Sequence, residues 1–119
     1  MSVLTGNQVQ EIFELAKKKK FALPAVNVIG SSSINATLET AAKLNAPVII
    51  QFSNGGGSFN AGKGLGNIDQ IASIKGSIAG AKHVHELSKE YNATVLLHTD
   101  HAARKLLPWI DGLISESEK

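Results

Sequence analysis

The clearest chemical signal in this chain of 119 residues is an Asp-His pair that follows an apolar, strand-like run. The run reads TVLL, and the next four residues, His98 to His101, read HTDH. A neutral imidazole can bind a borderline-soft divalent metal, and a neighbouring carboxylate can accept and return a proton. A catalytic zinc site needs three protein ligands, so the spacing alone leaves two interpretations open: part of a metal site, or a hydrogen-bonded polar turn.

Polar residues also stand at the ends of two further apolar runs. Asn27 lies within AVNVI, residues 25–29, and Gln51, Ser53 and Asn54 lie at the end of the run PVIIQF and just after it. Taken singly, each has an ordinary explanation, such as a hydrogen-bonded core amide or a turn cap. The carboxyl ends of parallel strands meet at one edge of a sheet, where the loops converge. Together, the three groups therefore predict a polar site at that edge.

A glycine-rich segment follows the second run. Residues 53–67 hold six of the 11 glycines and predict an irregular loop. Within it, Gly57 to Lys63 match G-x-x-x-x-G-K, but Gly64 stands where a nucleotide P-loop needs Ser or Thr, and no helix is predicted directly after it. A small α/β module that binds phosphate or nucleotide through Gly57 to Gly64 is the alternative hypothesis for the function.

Apolar periodicity predicts helices and strands in alternation. Thr5 and Gln8 match a capping box for a helix that ends near Lys19. Three more helices are predicted, at Ser31 to Asn45, at Ile71 to Asn92 and from Pro108 onward. Ser31 to Ser33 are predicted to supply the N-cap of the first of these three. Strands are predicted at residues 25–29, 47–52 and 94–98. This order favours a parallel sheet with right-handed crossovers, which three strands cannot close into a barrel.

Composition excludes several classes of function. The chain has no cysteine, which rules out disulfides, thiol nucleophiles and cysteine-based zinc sites. Its net charge of +2 comes largely from the lysines at residues 17–20, which do not make the broad basic face that nucleic acid requires. No apolar stretch approaches the length of a membrane span and no signal peptide is evident, which predicts a cytoplasmic protein. His83 and His85, two positions apart on a predicted helix, point in different directions and are interpreted as solvated.

Three segments carry a resemblance to a known family. They read FALPAVNVIGSSSINATLETA, APVIIQFSNGGGSFNAGKG and LLHTDHAARKLLPWIDGL. In order and spacing they resemble the amino-terminal third of the class II, metal-dependent fructose-bisphosphate aldolases, from about Thr5 to Lys119, and they favour the fructose branch over the tagatose-bisphosphate branch. The resemblance implies a TIM (β/α)8 barrel, in which residues 1–119 would form the N-terminal helix and the first three βα units of a single domain, an incomplete barrel at this length.

The same resemblance implies a reaction and the residues that perform it. The reaction is the reversible, zinc-assisted cleavage of fructose 1,6-bisphosphate to dihydroxyacetone phosphate and glyceraldehyde 3-phosphate. Asp100 would exchange a proton at the oxygen where the carbon bond breaks, and His101 would bind Zn²⁺, which stabilises the enediolate. Ser53 would contact a substrate phosphate, and Asn27 would line the pocket.

The resemblance also sets limits for this chain. Ala102 and Arg104 stand where the family commonly has Cys and Lys, at positions without an assigned chemical role. The other zinc ligands, the base that forms the enediolate and the glycine-rich phosphate segments are expected outside these 119 residues. The chain alone is therefore predicted to bind zinc weakly and not to catalyse. For the family, the implied partners are small sugar phosphates, neither nucleic acid nor membrane, and the implied assembly is a cytoplasmic homodimer.

Overall fold

The computed structural model describes residues 2–119, which form five α-helices and three strands. In chain order these are α1 (Asn7–Lys19), β1 (Ala25–Asn27), α2 (Ser31–Leu44), β2 (Val48–Phe52), α3 (Asn54–Ala61), α4 (Ile71–Tyr91), β3 (Val95–Thr99) and α5 (Leu107–Ser117). Short 3₁₀ turns at Ile68–Gln70 and Arg104–Leu106 precede α4 and α5. Across the described residues, no helix is both long and apolar enough to cross a membrane.

The three strands form one parallel sheet in the order β1-β2-β3. The register pairs Asn27 with Gln51 and Gln51 with His98, so these three residues share one level and one face of the sheet. At the outer edge of β3, Val3 pairs with Val95 in an isolated bridge. The described part of the chain thus holds an open parallel sheet, which confirms the predicted α/β fold and is consistent with a partial barrel.

Helices α2 and α4 cover one face of the sheet and bury the core there. Successive side chains of a strand point to opposite faces, so alternate residues of β2 enter this core. The buried cluster consists of Val28, Ile34, Leu38, Ala41, Val48, Ile50, Phe52, Val84, Ala93 and Val95. The intervening β2 residues, Ile49 and Gln51, face the other side, which is therefore the side that carries the polar strand ends.

Residues 54–61 of the glycine-rich segment are helical, which corrects the prediction of an irregular loop there, whereas residues 62–67 lie outside any helix, as predicted. Helix α3 follows β2 at once, and Ser53 caps it by accepting the N–H of Gly56 at 2.9 Å. Glycine disfavours an isolated helix, but here it lets α3 and α4 approach closely. A Cβ atom at Gly76 of α4 would collide with the carbonyl oxygen of Gly57 in α3. Packing between the two helices therefore explains Gly57 and Gly76.

The position of Gly57 inside α3 also removes the basis for the phosphate-loop hypothesis. A P-loop presents free backbone N–H groups ahead of a helix. The N–H of Gly57 instead donates to the Ser53 carbonyl at 2.9 Å, and Gly57 is buried. Gly64 lies in a turn and not at the start of a helix. A nucleotide-binding module built on Gly57 to Gly64 is therefore not supported.

The first strand is shorter than predicted because a serine competes for its backbone. β1 ends at Asn27 and not at Ile29, and the Ile29 N–H donates to Ser33 Oγ at 3.1 Å. The Ser33 hydroxyl in turn donates to the Gly30 carbonyl at 3.0 Å. The predicted serine cap is also wrong, since the N-cap of α2 is Gly30 and no side chain caps this helix.

Most helix ends agree with the sequence. Asn45 and Asn92 end α2 and α4 in the left-handed conformation, with φ of 50° and 54°. Lys20 ends α1 in the same way, with φ of 56°. At the start of α1 the capping box is half formed: the Thr5 N–H donates to Gln8 Oε1 at 3.2 Å, whereas the N-cap position belongs to Gly6.

Candidate functional site

Three polar side chains lie in a row across the ends of the strands. We call Asn27, Gln51 and His98 the polar row; the sheet register sets them side by side on the face away from α2 and α4. Gln51 Nε2 donates to Asn27 Oδ1 at 2.7 Å. His98 Nδ1 lies 3.0 Å from Gln51 Oε1. Each strand thus contributes one member of a continuous hydrogen-bonded chain.

Asp100 joins the polar row at Asn27. It lies just beyond β3, and its N–H donates to the Phe52 carbonyl at 2.8 Å, which ties the turn to β2. Its Oδ1 accepts the His101 N–H at 2.9 Å, and its Oδ2 accepts the Asn27 amide at 3.2 Å. The carboxylate therefore has a donor on each oxygen while its residue remains partly exposed at the edge of the sheet.

These contacts lower the pKa of Asp100 below the usual aspartate value. The hydrogen bond from the His101 N–H is the largest cause, and the bond from the Asn27 amide is the second. The positive charges that His101 and His98 can carry act in the same direction. Asp100 is therefore a carboxylate at neutral pH, which can accept a hydrogen bond or a proton from a hydroxyl group.

His101 is exposed, and its ring has no hydrogen-bond partner among residues 2–119. Its ring nitrogens are therefore accessible to a metal ion. The described residues do not complete a zinc site, however, because no three His, Cys, Asp or Glu side chains come together within them as potential ligands. What this chain offers fits one ligand of such a site and not the whole of it.

Ser53 stands at the same edge of the sheet, at the N-terminus of α3. It directly follows Phe52, whose carbonyl accepts the Asp100 N–H. Its Oγ accepts the Gly56 N–H at 2.9 Å, which leaves the hydroxyl hydrogen able to donate to an anion. Among the predicted site residues, the structure brings Asn27 and Asp100 into direct contact; within the described chain, Ser53 makes no hydrogen bond to either.

The sequence marks Gln51 and His98 only as polar strand ends, and their contacts follow from the sheet register. The available signal is the alternation of side chains along each strand, which places Gln51 and His98 on the face opposite to Ile50 and Leu97.

The two histidines of α4, His83 and His85, differ in their surroundings. His83 is half-buried, and its Nε2 lies 2.8 Å from Asn35 Oδ1, a contact that joins α4 to α2 and corrects the interpretation of His83 as solvated. His85 is exposed, as predicted.

A groove of about 550 Å³ lies between α4, α5 and the outer edge of β3. Its apolar lining includes Phe52, Leu97 and Leu113. His98 reaches it, but Asp100 and His101 do not line it. The Asp-His pair is therefore at the open edge of the sheet and not inside this groove.

Known proteins are similar to this chain in both sequence and fold. Residues 7–118 match the family model described as class-II fructose-bisphosphate aldolase. The class 2 fructose-bisphosphate aldolase of Escherichia coli strain K12 is 60% identical over 118 residues, which are 98% of this chain and 33% of that protein. The fructose-bisphosphate aldolase of Haemophilus influenzae strain Rd has the same identity and coverage.

A crystal structure of fructose-bisphosphate aldolase from Campylobacter jejuni superposes on this chain with a TM-score of 0.89 at 59% identity. The match covers 96% of this chain and 31% of that one. The chain thus spans about a third of the length of the relatives it matches.

Proposed function

The chain belongs to the class II fructose-bisphosphate aldolase family, and from this premise we propose that the protein containing it reversibly cleaves fructose 1,6-bisphosphate. The products are dihydroxyacetone phosphate and glyceraldehyde 3-phosphate, a carbon–carbon lyase reaction of glycolysis and gluconeogenesis. Within this chain, the observation that supports the proposal most is Asp100, a carboxylate held by two donors at the open strand edge. The 119 residues alone are proposed to be inactive.

Asp100 moves the proton at the breaking bond. In cleavage, the bond between C3 and C4 of the sugar breaks and its electron pair stays on C3, which takes up a proton from a group expected outside these residues and so becomes part of dihydroxyacetone phosphate. The C4 hydroxyl passes its proton to Asp100 as its oxygen becomes the aldehyde of glyceraldehyde 3-phosphate. In condensation, the protonated Asp100 returns that proton to the aldehyde oxygen. The N–H of His101 and the side-chain amide of Asn27 donate to the carboxylate and stabilise its ionised form. They also hold the carboxylate in the same position during cleavage and condensation.

His101 is proposed as one ligand of a zinc ion. Its exposed ring suits this role, and the remaining ligands belong outside the described residues, which do not complete a site. Zinc, when bound, supplies the Lewis acidity that stabilises an enediolate.

Ser53 is proposed to contact a substrate phosphate, with Asn27 lining the pocket. The Ser53 hydroxyl keeps its hydrogen for an anion because its oxygen already accepts the Gly56 N–H. The N–H groups in the first turn of α3 add a partial positive charge beside it. An anionic group bound there would lie at the end of β2, and Asp100 lies at the end of the neighbouring strand, β3.

The remaining proposals concern the whole protein. Residues 1–119 belong to a single TIM-barrel domain, whose first three strands are β1, β2 and β3. The protein acts on small sugar bisphosphates and triose phosphates in the cytoplasm, as a homodimer, without nucleic acid or membrane.

The test is triose phosphate formation by the full-length protein from fructose 1,6-bisphosphate, measured before and after dialysis against EDTA. We expect turnover that EDTA abolishes and that added Zn²⁺ restores. A protein with saturating substrate and Zn²⁺ that forms no triose phosphate, or one whose turnover EDTA leaves unchanged, would contradict the proposal.

A further inference from the structure

The hydrogen bonds of the polar row all run in one direction, towards Asp100. The Asn27 amide nitrogen donates to Asp100 Oδ2, so the other half of that amide, Oδ1, is an acceptor. Gln51 Nε2 donates to it at 2.7 Å, which leaves Gln51 Oε1 as an acceptor in turn. His98 Nδ1 lies 3.0 Å from Gln51 Oε1. Because an oxygen acceptor faces it, His98 Nδ1 must carry a hydrogen.

The opposite direction fails at Asp100. Exchanging the oxygen and nitrogen of both amides would set Asn27 Oδ1 against a carboxylate oxygen, two acceptors with no hydrogen between them. The other carboxylate oxygen already accepts the His101 N–H at 2.9 Å. Asp100 therefore fixes which way Asn27 points, Asn27 fixes Gln51, and Gln51 fixes the hydrogen on His98.

The same dependence holds in reverse, from His98 to Asp100. The side chains of Asn27 and His98 are both exposed, so the packing around them does little to fix their orientation. Each amide of the row is oriented by the partner on its far side. Without the Gln51 donor, the exposed Asn27 side chain would lose the partner on its Oδ1 and could swing away from Asp100, which would remove one of the two donors that hold the carboxylate.

On the basis of the proposed function, we infer that Gln51 and His98 are positioning residues for Asp100, acting through Asn27, and that neutral His98 is held as the Nδ1–H tautomer. Neither side chain contacts Asp100 directly in this row; each acts by orienting the next one. His98 Nε2 is then unprotonated and can accept a hydrogen bond.

The tautomer can be measured without any assay of activity. In the full-length protein labelled with ¹⁵N-histidine, two-bond ¹H–¹⁵N correlations distinguish a protonated Nδ1 from a protonated Nε2. The spectrum is recorded at a pH of about 8.5, where an ordinary imidazole is neutral. The His98→Asn variant assigns the signal. We expect His98 Nδ1 protonated and Nε2 unprotonated; an Nε2–H tautomer, or two tautomers in exchange, would overturn the inference.

Two variants of His98 make a matched pair for the positioning role. The amide nitrogen of Asn occupies the place of Nδ1, whereas that of Gln extends towards the place of Nε2. We expect His98→Asn to keep kcat within about two-fold and His98→Gln to lower it about ten-fold, with KM for fructose 1,6-bisphosphate unchanged. Equal kcat in the two variants would contradict the positioning role.

A third variant tests the middle of the row. Gln51→Glu has the same size but replaces the Nε2 donor by an acceptor, so we expect kcat to fall about ten-fold while KM stays constant. Unchanged kcat would contradict the inference. If the unaltered full-length protein forms no triose phosphate, the proposed function fails, whereas the His98 tautomer still decides the arrangement of the row.

Discussion

Replacing Gly76 by alanine should destabilise the protein by forcing α3 away from α4. Gly76 is buried where the two helices meet. A Cβ there would overlap the Gly57 carbonyl oxygen, and it would lie 2.7 Å from the Gly57 carbonyl carbon and 2.8 Å from the Ala61 nitrogen. Carbon contacts are optimal at roughly 3.5 to 4.0 Å, so the helices must separate by at least about 1 Å. Both sides of the contact are backbone, so no change of rotamer relieves it.

Two effects of Gly76→Ala on the free energy of unfolding oppose each other. Overpacking a well-packed contact costs about 1 to 3 kcal/mol, whereas alanine in place of a helical glycine returns up to about 1 kcal/mol. Because both sides of this contact are backbone, the cost lies at the upper end of that range, and the net loss for Gly76→Ala is about 2 kcal/mol. The control is Gly55→Ala in α3, where a Cβ would meet nothing within 4 Å. The control should stabilise the protein by up to about 1 kcal/mol.

Urea unfolding of the full-length protein, followed by circular dichroism, measures both variants. Because Ser53 caps α3, a displaced α3 should also raise KM for fructose 1,6-bisphosphate in Gly76→Ala. The reasoning is refuted if Gly76→Ala is as stable as Gly55→Ala or more stable than the unaltered protein.

Two further predictions concern the core and the surface. Leu38 is fully buried, so Leu38→Ala should lower the free energy of unfolding by about 2 to 5 kcal/mol, whereas Leu44→Ala, at a site 69% exposed, should change it by less than about 0.5 kcal/mol; similar urea midpoints would contradict this. Lys119 first, and Lys82 second, lower the pKa of Glu116 below its usual 4.5. Their stabilising effect is therefore present above that value and lost as the pH falls through the lowered pKa. Lys82→Met should accordingly reduce the urea midpoint more at about pH 7 than at about pH 3, and an equal reduction at both would refute the assignment.

The sequence predicts long, periodic elements well because their signals are local. The predicted helix from Ile71 to Asn92 matches α4 closely, since apolar spacing and an asparagine end both lie within the segment itself. The predicted strand at residues 47–52 matches β2 to within one residue.

The sequence predicts a loop where α3 forms, because the stability of this helix does not come from its own residues. Its glycines are weak helix formers, and the helix depends on packing against α4, which begins many residues later. The serine at position 53, whose side chain caps the helix, was the local signal for it.

In the candidate site, too, some features can be predicted from local sequence and others cannot. The chemistry of Asp100 and His101 is visible in four consecutive residues, HTDH. The partnership of Asn27, Gln51 and His98 is not, because it depends on the register between strands that are 24 and 47 residues apart in the chain. Residue types alone therefore predict which side chains can react, whereas the pairing of the strands determines which side chains hydrogen-bond to them.

The central claim is that Asp100 moves the proton at the breaking carbon bond. The direct test is the rate of triose phosphate formation by the full-length Asp100→Asn variant at saturating fructose 1,6-bisphosphate. The matched control is Asp111→Asn, the same change at an exposed position of α5. The account predicts that Asp100→Asn lowers kcat by about 10² to 10⁴, since a proton-transferring group is lost, while Asp111→Asn leaves kcat unchanged. An Asp100→Asn enzyme with kcat close to that of the control would contradict it.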